Sequence, residues 1–291
     1  MFKTIYKYLL QISGFLFLVL LVNCTENPFW KENKISGNSV RGKVRLNSYL
    51  SPDDVHVWFK ALDISTRTDE NGEFTLHFPP PSKQPSGGID GVFDLYFFVA
   101  NYQWQSVPIV FINGNVQYSK ESVGNNGELR KTVVLSEILK IKTTYSQTML
   151  TETLEDSIHV SFTVNTFDDE PIALISNFTT SLYPGDPEFL TGLLLDSNKN
   201  VVKMFTRRDR TIKTVEILIE KTPKTLVPVI VILAPGEFPA GEYYIVPYSI
   251  IQHKNLPAGL LKSIGNNITR FSPDYLKIPL KIRANKFTIS N

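Results

Sequence analysis

Thr66-Arg67-Thr68-Asp69-Glu70-Asn71-Gly72-Glu73-Phe74-Thr75-Leu76 decides the fold of this chain. Asn-Gly between strand-like runs is the strongest short hairpin signal, because both residues tolerate positive φ. Beyond the turn, Phe74, Leu76 and Phe78 fall on one face and Thr75 and His77 on the other, the period of two that marks a half-buried strand. The same style extends on both sides. Val40, Gly42, Val44 and Leu46 alternate with Arg41, Lys43 and Arg45. Val55-His56-Val57-Trp58-Phe59, Phe93 to Val99 and Val107 to Ile112 are further runs rich in branched and aromatic side chains, which pack well on a pleated surface.

With Gly42 ahead of it and Pro79-Pro80 behind it, the hairpin resembles the carboxypeptidase-regulatory-like repeat, whose pattern is T-x-T-D-x-x-G-x-F-x-L followed by prolines and a strand ending near Gly-Tyr. The resemblance covers roughly residues 37–112. It implies a seven-stranded, prealbumin-like (transthyretin-type) β-sandwich serving as an accessory or binding module without a catalytic site of its own. Asn101-Tyr102 stands where the family has Gly-Tyr, and Pro79 to Gly91 is longer than the family's proline turn. That proline- and glycine-rich insertion cannot continue a strand and reads as an exposed loop.

The second half repeats the style without repeating the sequence. Ser157 to Val164 alternates, Leu193 to Val202 reads as strand, turn, strand, and Thr214 to Ile219 and Leu226 to Leu233 follow. Strands at intervals of roughly 8–12 residues argue for a sandwich. Ala240-Gly241-Glu242-Tyr243-Tyr244 resembles the penultimate strand of immunoglobulin-like bacterial modules. Ala258 to Ile264 is the one candidate helix, and Tyr275 to Ile289 reads as a final strand pair or one long strand. Leu129 to Ile141 either closes the first module or joins the two. The expected fold is therefore all-β, with a prealbumin-like sandwich over 39–142 and an immunoglobulin-like sandwich over 143–291.

Ahead of these modules, Lys3 and Lys7 precede Tyr8 to Val22, which carries no charge. A secretory signal takes a positive start, an apolar stretch of roughly 7–15 residues and a cleavage site. A membrane span needs about 20 apolar residues; here Gln11, Ser13 and Gly14 interrupt the run and Asn23 ends it. Leu21-Val22-Asn23-Cys24 resembles the lipobox of bacterial lipoproteins, with Asn23 where the family has Gly, Ala or Ser. In that family the cysteine is acylated, with palmitate-type chains, and becomes the first residue after cleavage. The resemblance implies a signal peptide over 1–23, lipidation at Cys24, a polar tether over 24–38, and membrane lipid as a partner. The competing reading is an uncleaved N-terminal anchor with an incidental cysteine.

Of 30 Lys and Arg, Lys3 and Lys7 lie in the leader, which leaves 28 against 28 Asp and Glu. This balance gives no support for nucleic-acid binding, which favours a basic surface. Cys24 is the only cysteine, so the fold has no internal disulfide and relies on its core.

The chain contains none of the fixed-spacing patterns G-x-S-x-G, S-x-x-K, H-E-x-x-H or G-x-x-x-x-G-K-[ST], which place nucleophile, metal ligands or a phosphate cradle. His56, His77, His159 and His253 are far apart and read as ordinary half-buried histidines rather than the convergent ligands zinc requires. Asp69-Glu70-Asn71-Gly72-Glu73 and Asp168-Asp169-Glu170 hold loop oxygens, as calcium sites do, but read as a hairpin turn and a solvated loop. Arg207-Arg208-Asp209-Arg210, the densest basic cluster, reads as a solvated turn. Asn177-Phe178-Thr179 and Asn267-Ile268-Thr269 are chance matches to a glycosylation pattern. Trp58, Tyr102 and Trp104 are candidate surface aromatics. The expected catalytic, metal and cofactor sets are empty. The expected protein is a non-catalytic lipoprotein at the bacterial outer membrane or cell surface, a binding or assembly module with a possible envelope protein partner. The alternatives are an accessory subunit of a secretion or adhesion machine, pairing through exposed strand edges, and a peptidase- or glycan-related enzyme.

Overall fold

The computed structural model describes residues 38–151, 156–176, 192–205, 215–233, 238–270 and 272–290. The leader, Cys24, the tether to residue 37, Arg207 to Arg210 and the Asn177 pattern lie outside the described residues.

The chain is all-β, built as sandwiches around two apolar cores. The first comprises β1 (Ser39–Leu46), β2 (His56–Phe59), β3 (Ile64–Arg67), β4 (Glu73–His77), β5 (Gly91–Phe98), β6 (Gln105–Ile112), β7 (Asn115–Gln117) and β8 (Val133–Leu135). The sheet β4-β1-β8 packs on the sheet β3-β2-β5-β6-β7. That is eight strands where the resemblance implies seven. Phe59 and Phe111, on the five-stranded sheet, meet Phe78, which follows β4, with ring centroids 5.0 Å apart in both pairs. Edge-to-face rings at this spacing add specificity to area burial, so the three phenylalanines pin the two sheets together.

The Asp69 loop is a turn but not the hairpin its sequence implies: β3 pairs with β2 and β4 with β1, so the loop carries the chain from one sheet to the other. Asp69 Oδ1 accepts from the backbone N–H of Asn71 (2.9 Å) and of Glu73 (2.8 Å), and Gly72 sits at φ 77°. The second module contains the same device. Asp196 Oδ1 accepts from the N–H of Asn198 (2.9 Å) and of Asn200 (2.8 Å), and Lys199 takes the left-handed position at φ 67°. Each carboxylate is thus occupied by its own backbone. That is the physical reason Asp69 forms a turn.

The second module holds β9 (Leu139–Tyr145), β10 (Met149–Thr151), β11 (Asp156–Thr166), β12 (Ile172–Ser176), β13 (Gly192–Asp196), β14 (Val201–Phe205), β15 (Val215–Ile219), β16 (Lys224–Leu233), β17 (Gly241–Pro247), β18 (Ser249–Ile251), α1 (Leu260–Ile264), β19 (Arg283–Ala284) and β20 (Phe287–Ser290). Its sheets run β10-β20-β17-β13-β14, β16-β11-β9-β19 and β15-β12-β18. Tyr145 of β9 crosses to the five-stranded sheet, where its hydroxyl accepts from Ile245 N–H at 2.9 Å and its ring meets Phe287. The run Leu129 to Ile141 does both things open to it: β8 pairs in parallel with β1, and β9 opens the second module, with Lys142 inside it.

The last segment departs from expectation. Tyr275 to Ile289 is neither a strand pair nor one long strand. A 3-10 turn occupies Pro273–Lys277, the chain then runs irregularly through Pro279, and only β19 and β20 are strands. Pro279 has no N–H to give a ladder, and the segment spends its backbone groups on the first module instead.

Two substitutions test the turns. A Cβ on Gly72 would lie 2.2 Å from the Val44 carbonyl oxygen. Gly72→Ala should therefore cost more than the ~1–2 kcal/mol of a left-handed alanine alone. Lys199→Gly relieves the same backbone penalty at an exposed site and should gain about 0.5–1 kcal/mol. Urea denaturation midpoints of both variants check the opposite signs.

Candidate functional site

The ionisable groups with least access to water gather where the two modules meet. Asn101, fully buried, is at the centre. Its Nδ2 donates to the carbonyls of Leu139 (3.1 Å) and Lys281 (2.8 Å), and its Oδ1 accepts from Lys281 N–H at 3.0 Å. Its own carbonyl accepts from the N–H groups of Ile138 and Leu139. Residues 272–286 form a strap that this amide holds against the first module. Ala100 N–H donates to Pro279 O at 2.7 Å and Arg67 Nη2 to Lys277 O at 2.5 Å.

Two ion pairs complete the strap. Arg283 meets Glu137 in a two-pronged contact, Nη1 to Oε1 at 2.5 Å and Nη2 to Oε2 at 2.7 Å. The side chains are only 12% and 5% exposed, and the Glu137 hydrogen bonds raise the Arg283 pKa above its ordinary value. Its guanidinium also lies over the Tyr49 ring, 5.3 Å from the centroid. Lys281 Nζ meets Asp53 Oδ1 at 2.6 Å. Burial pushes the Asp53 carboxyl up, but the Lys281 hydrogen bond and charge outweigh it and hold the pKa below its usual value.

The histidines at the joint are structural. His56 lies opposite Phe98 in the β2–β5 register, and the Phe98 ring lies 5.4 Å from that of His253. Two residues far apart in sequence therefore share one aromatic neighbour. His253 Nε2 donates to Ala100 O at 2.6 Å. Ser263 Oγ gives its proton to Leu260 O, so His56 Nε2 must be the donor in its 2.9 Å contact with Ser263 Oγ. Burial, with the Arg67 charge beside it, lowers the His56 pKa to about 4. Burial lowers that of His253 against the opposing carbonyl contact.

Beside the strap opens a cleft of about 680 Å³. Asp53 and Asp54 of the first module form one wall, and Leu195, Lys199, Tyr244 and Val246 of the second form the other. Strap residues Leu276, Ile278 and Leu280 supply its apolar lining. Asp54 is paired with Arg67 at 2.6 Å, as Asp53 is with Lys281. The acids are thus neutralised in place, and the arrangement suits binding more than proton transfer. Among the described residues, no three His, Cys, Asp or Glu side chains converge as metal ligands would.

The expected surface aromatics are corrected here. Trp58 is buried, with Nε1 donating to Asp63 Oδ1 at 3.0 Å, and its ring joins the second module's core. Tyr102 is fully buried, its hydroxyl 2.6 Å from Ser48 Oγ. Trp104 is half-buried against Tyr96, and its Nε1 meets no acceptor among the described residues. Tyr102 and Trp104 stand in the turn between β5 and β6, where polar neighbours in sequence say nothing of what folds over the rings. In the acidic loop, Asp169 pairs with Lys221 and Glu170 with Lys254 at the surface, contacts of small energetic worth. Asn267 lies at φ 71° after α1, in a turn. The joint itself escaped sequence reading, since no local pattern marks Asn101 or Arg283; only the departure from Gly-Tyr at Asn101-Tyr102 points to it.

No protein-family model matches the chain, and no curated protein matches it. Among solved structures it is similar to the Bacillus anthracis TIE protein, at 8% identity over 74% of this chain and 31% of that one, with a TM-score of 0.21. It is also similar to BcpA, the major pilin subunit of Bacillus cereus, at 9% identity over 75% of this chain and 66% of that one, with a TM-score of 0.24. The chain spans less than a third of the first and just under two thirds of the second.

Two predictions follow from the joint's chemistry. Arg283→Met leaves a buried, unpaired Glu137 and should cost about 3–5 kcal/mol. Adding Glu137→Gln should recover part of that loss, so the double variant is less destabilised than the two singles combined; equilibrium denaturation of the four proteins reads the coupling. His56 stays neutral in the fold down to about pH 4, whereas in the unfolded chain it takes a proton near pH 6.5. Between those values the unfolded state binds more protons, so stability falls as pH drops from 6.5, by roughly 3 kcal/mol at and below pH 4 from this group. Asp53, with its lowered pKa, adds a loss only in stronger acid. His56→Gln should flatten the profile between pH 6.5 and 4, measured as unfolding free energy against pH.

Proposed function

We propose that the chain is a non-catalytic lipoprotein of the bacterial cell envelope, at the outer membrane or cell surface, held by acyl chains on Cys24 and presenting two fused β-modules as one rigid body. The first would be a carboxypeptidase-regulatory-like sandwich and the second an immunoglobulin-like one. The observation that carries this reading is the use made of buried charge. Glu137, Arg283, Asp53, Lys281, His56 and His253 are each engaged in fastening one module to the other. A body stiffened in this way suits binding or assembly at a distance from a membrane, and the cleft beside the strap is its candidate ligand site. No described helix is long and apolar enough to cross a membrane.

A second reading, as an accessory subunit pairing by strand addition, draws on β14. It is the outer strand of its sheet among the described residues, with Val202 and Met204 exposed. An open edge with apolar side chains is a template for another strand.

Cys24→Ser, with a fatty-acid analogue fed to the cells, tests the anchor. Label and membrane association should both disappear; a variant that keeps them has another anchor. Purification from detergent-solubilised membranes separates the two readings, since a stoichiometric partner is required only by the second.

A further inference from the structure

The outer face of the first module's five-stranded sheet is only half covered, and its open half carries an aliphatic patch beside the polar Asp94, Ser106 and Asn115. At one end His56, Trp58 and Phe98 lie against the second module. At the other, Val92 stands opposite Val110, with Pro108 and Ile112 at the diagonal positions. Their neighbours Ile109 and Phe111 are buried in the core, so these four side chains point outward. Val92 is 64% exposed and Ile112 52%. An aliphatic patch left open beside a covered one needs an occupant.

The chain's own course places that patch. The described body begins at Asn38, whose side chain is bonded to the turn that follows Ile112: Nδ2 donates to Gly114 O at 3.3 Å, and Oδ1 accepts from Val116 N–H at 3.0 Å. The proline-rich insertion is fixed to the same turn. Gln84, buried within it, donates to Gly114 O at 2.7 Å, and Asp90 accepts from Asn113 N–H at 2.6 Å. The insertion is largely exposed, as its sequence implies, but Gln84 and Asp90 pin it to the module's end. Cys24 precedes Asn38 by fourteen positions, a reach of at most about 50 Å even when fully extended.

We propose that Val92, Pro108, Val110 and Ile112 rest on the lipid surface to which Cys24 is attached, so that the first module lies against the membrane and the strap and cleft face away from it. This rests on the Cys24 anchor proposed above. Asp94 lies across from Pro108, and Asp90 is bonded to the turn that follows Ile112. With no excess of cations there, the contact is aliphatic, with acyl chains rather than anionic headgroups. So few side chains hold a free protein weakly, but a tether raises their effective concentration at the surface.

The test couples the chain from Cys24 onward, which carries every described residue, through that thiol to maleimide lipid in phosphatidylcholine vesicles with brominated acyl chains. The anchor is then chemical and independent of acylation in the cell. Ile112→Trp is compared with Leu218→Trp, an exposed apolar site of the second module. The emission added at position 112 should shift to shorter wavelength and be quenched by bromine, unchanged in high salt. That at position 218 should stay unquenched, and Val92→Asp should restore emission at 112. Equal quenching at both positions, or none at 112, overturns the proposal, as does shielding of position 112 by self-association of the coupled chain. Loss of fatty-acid label from neither wild type nor Cys24→Ser would sink the anchor and leave this vesicle result standing.

Discussion

A buried primary amide has two donors and an acceptor that must all be met, and Asn101 meets them with groups from three parts of the chain. Its own strand end lies in the first module, Leu139 opens the second, and Lys281 belongs to the strap. Left unpaired, each buried polar group would cost about 1–3 kcal/mol. The position of the strap backbone is therefore set at residue 281 to within hydrogen-bond tolerance. Once Lys281 is placed, its ammonium falls on Asp53, and two residues on Arg283 falls on Glu137. The joint is a consequence of satisfying one side chain, and the ion pairs are specific because the amide has already aligned them.

This order matters for what the ion pairs contribute. A buried pair gives little net stability relative to apolar residues of the same volume, yet losing one partner is costly. Arg283 and Glu137 thus act chiefly against alternative placements of the strap. The neutral histidines work similarly. His56 and His253 each give one proton to a fixed acceptor across the joint, and a second proton on either would have to be buried. The fold is consequently most secure where both are neutral and Asp53 is ionised. Acid closes that window on one side; on the alkaline side, ionisation of buried tyrosines such as Tyr145 and Tyr275, whose pKa values burial raises, closes it.

Much of the fold was legible from local pattern. Asn71-Gly72 announced a turn, though one that crosses between the two sheets rather than closing a hairpin, and strand alternation located most strands, because a two-residue period and a positive-φ turn are written in adjacent residues while the pairing partner is not. The Asp196 turn could also have been read, since Asp-x-Asn with a left-handed residue next recurs from the Asp69 loop, but Lys199 occupies the place of Gly72 and hides the likeness. What was not legible depends on distance. Trp58 and Tyr102 carry no local mark of their burial: the second module covers the first and the sandwich interior holds the second. Tyr275 to Ile289 looks like strand from its apolar content, and its middle becomes a strap because the partners of Lys277, Lys281 and Arg283 lie more than a hundred residues earlier.

The outer face of the β2–β5–β6 surface carries this one step further. Along a strand, a residue covered by another module and a residue open to solvent have the same chemistry: Phe98 and Val92 sit on one face of β5, one buried and the other exposed. A sequence distinguishes core from surface by alternation, but the outer face of β5 mixes Val92, Tyr96 and Phe98 with Asp94, and alternation does not tell its covered end from its open one. The distinction between them comes only from what lies above each end. At one end it is the module that follows in the chain. At the other it is whatever lies next to Asn38, where the polypeptide enters the body. Hydrophobic side chains on the second face of a sheet thus record an orientation relative to neighbours.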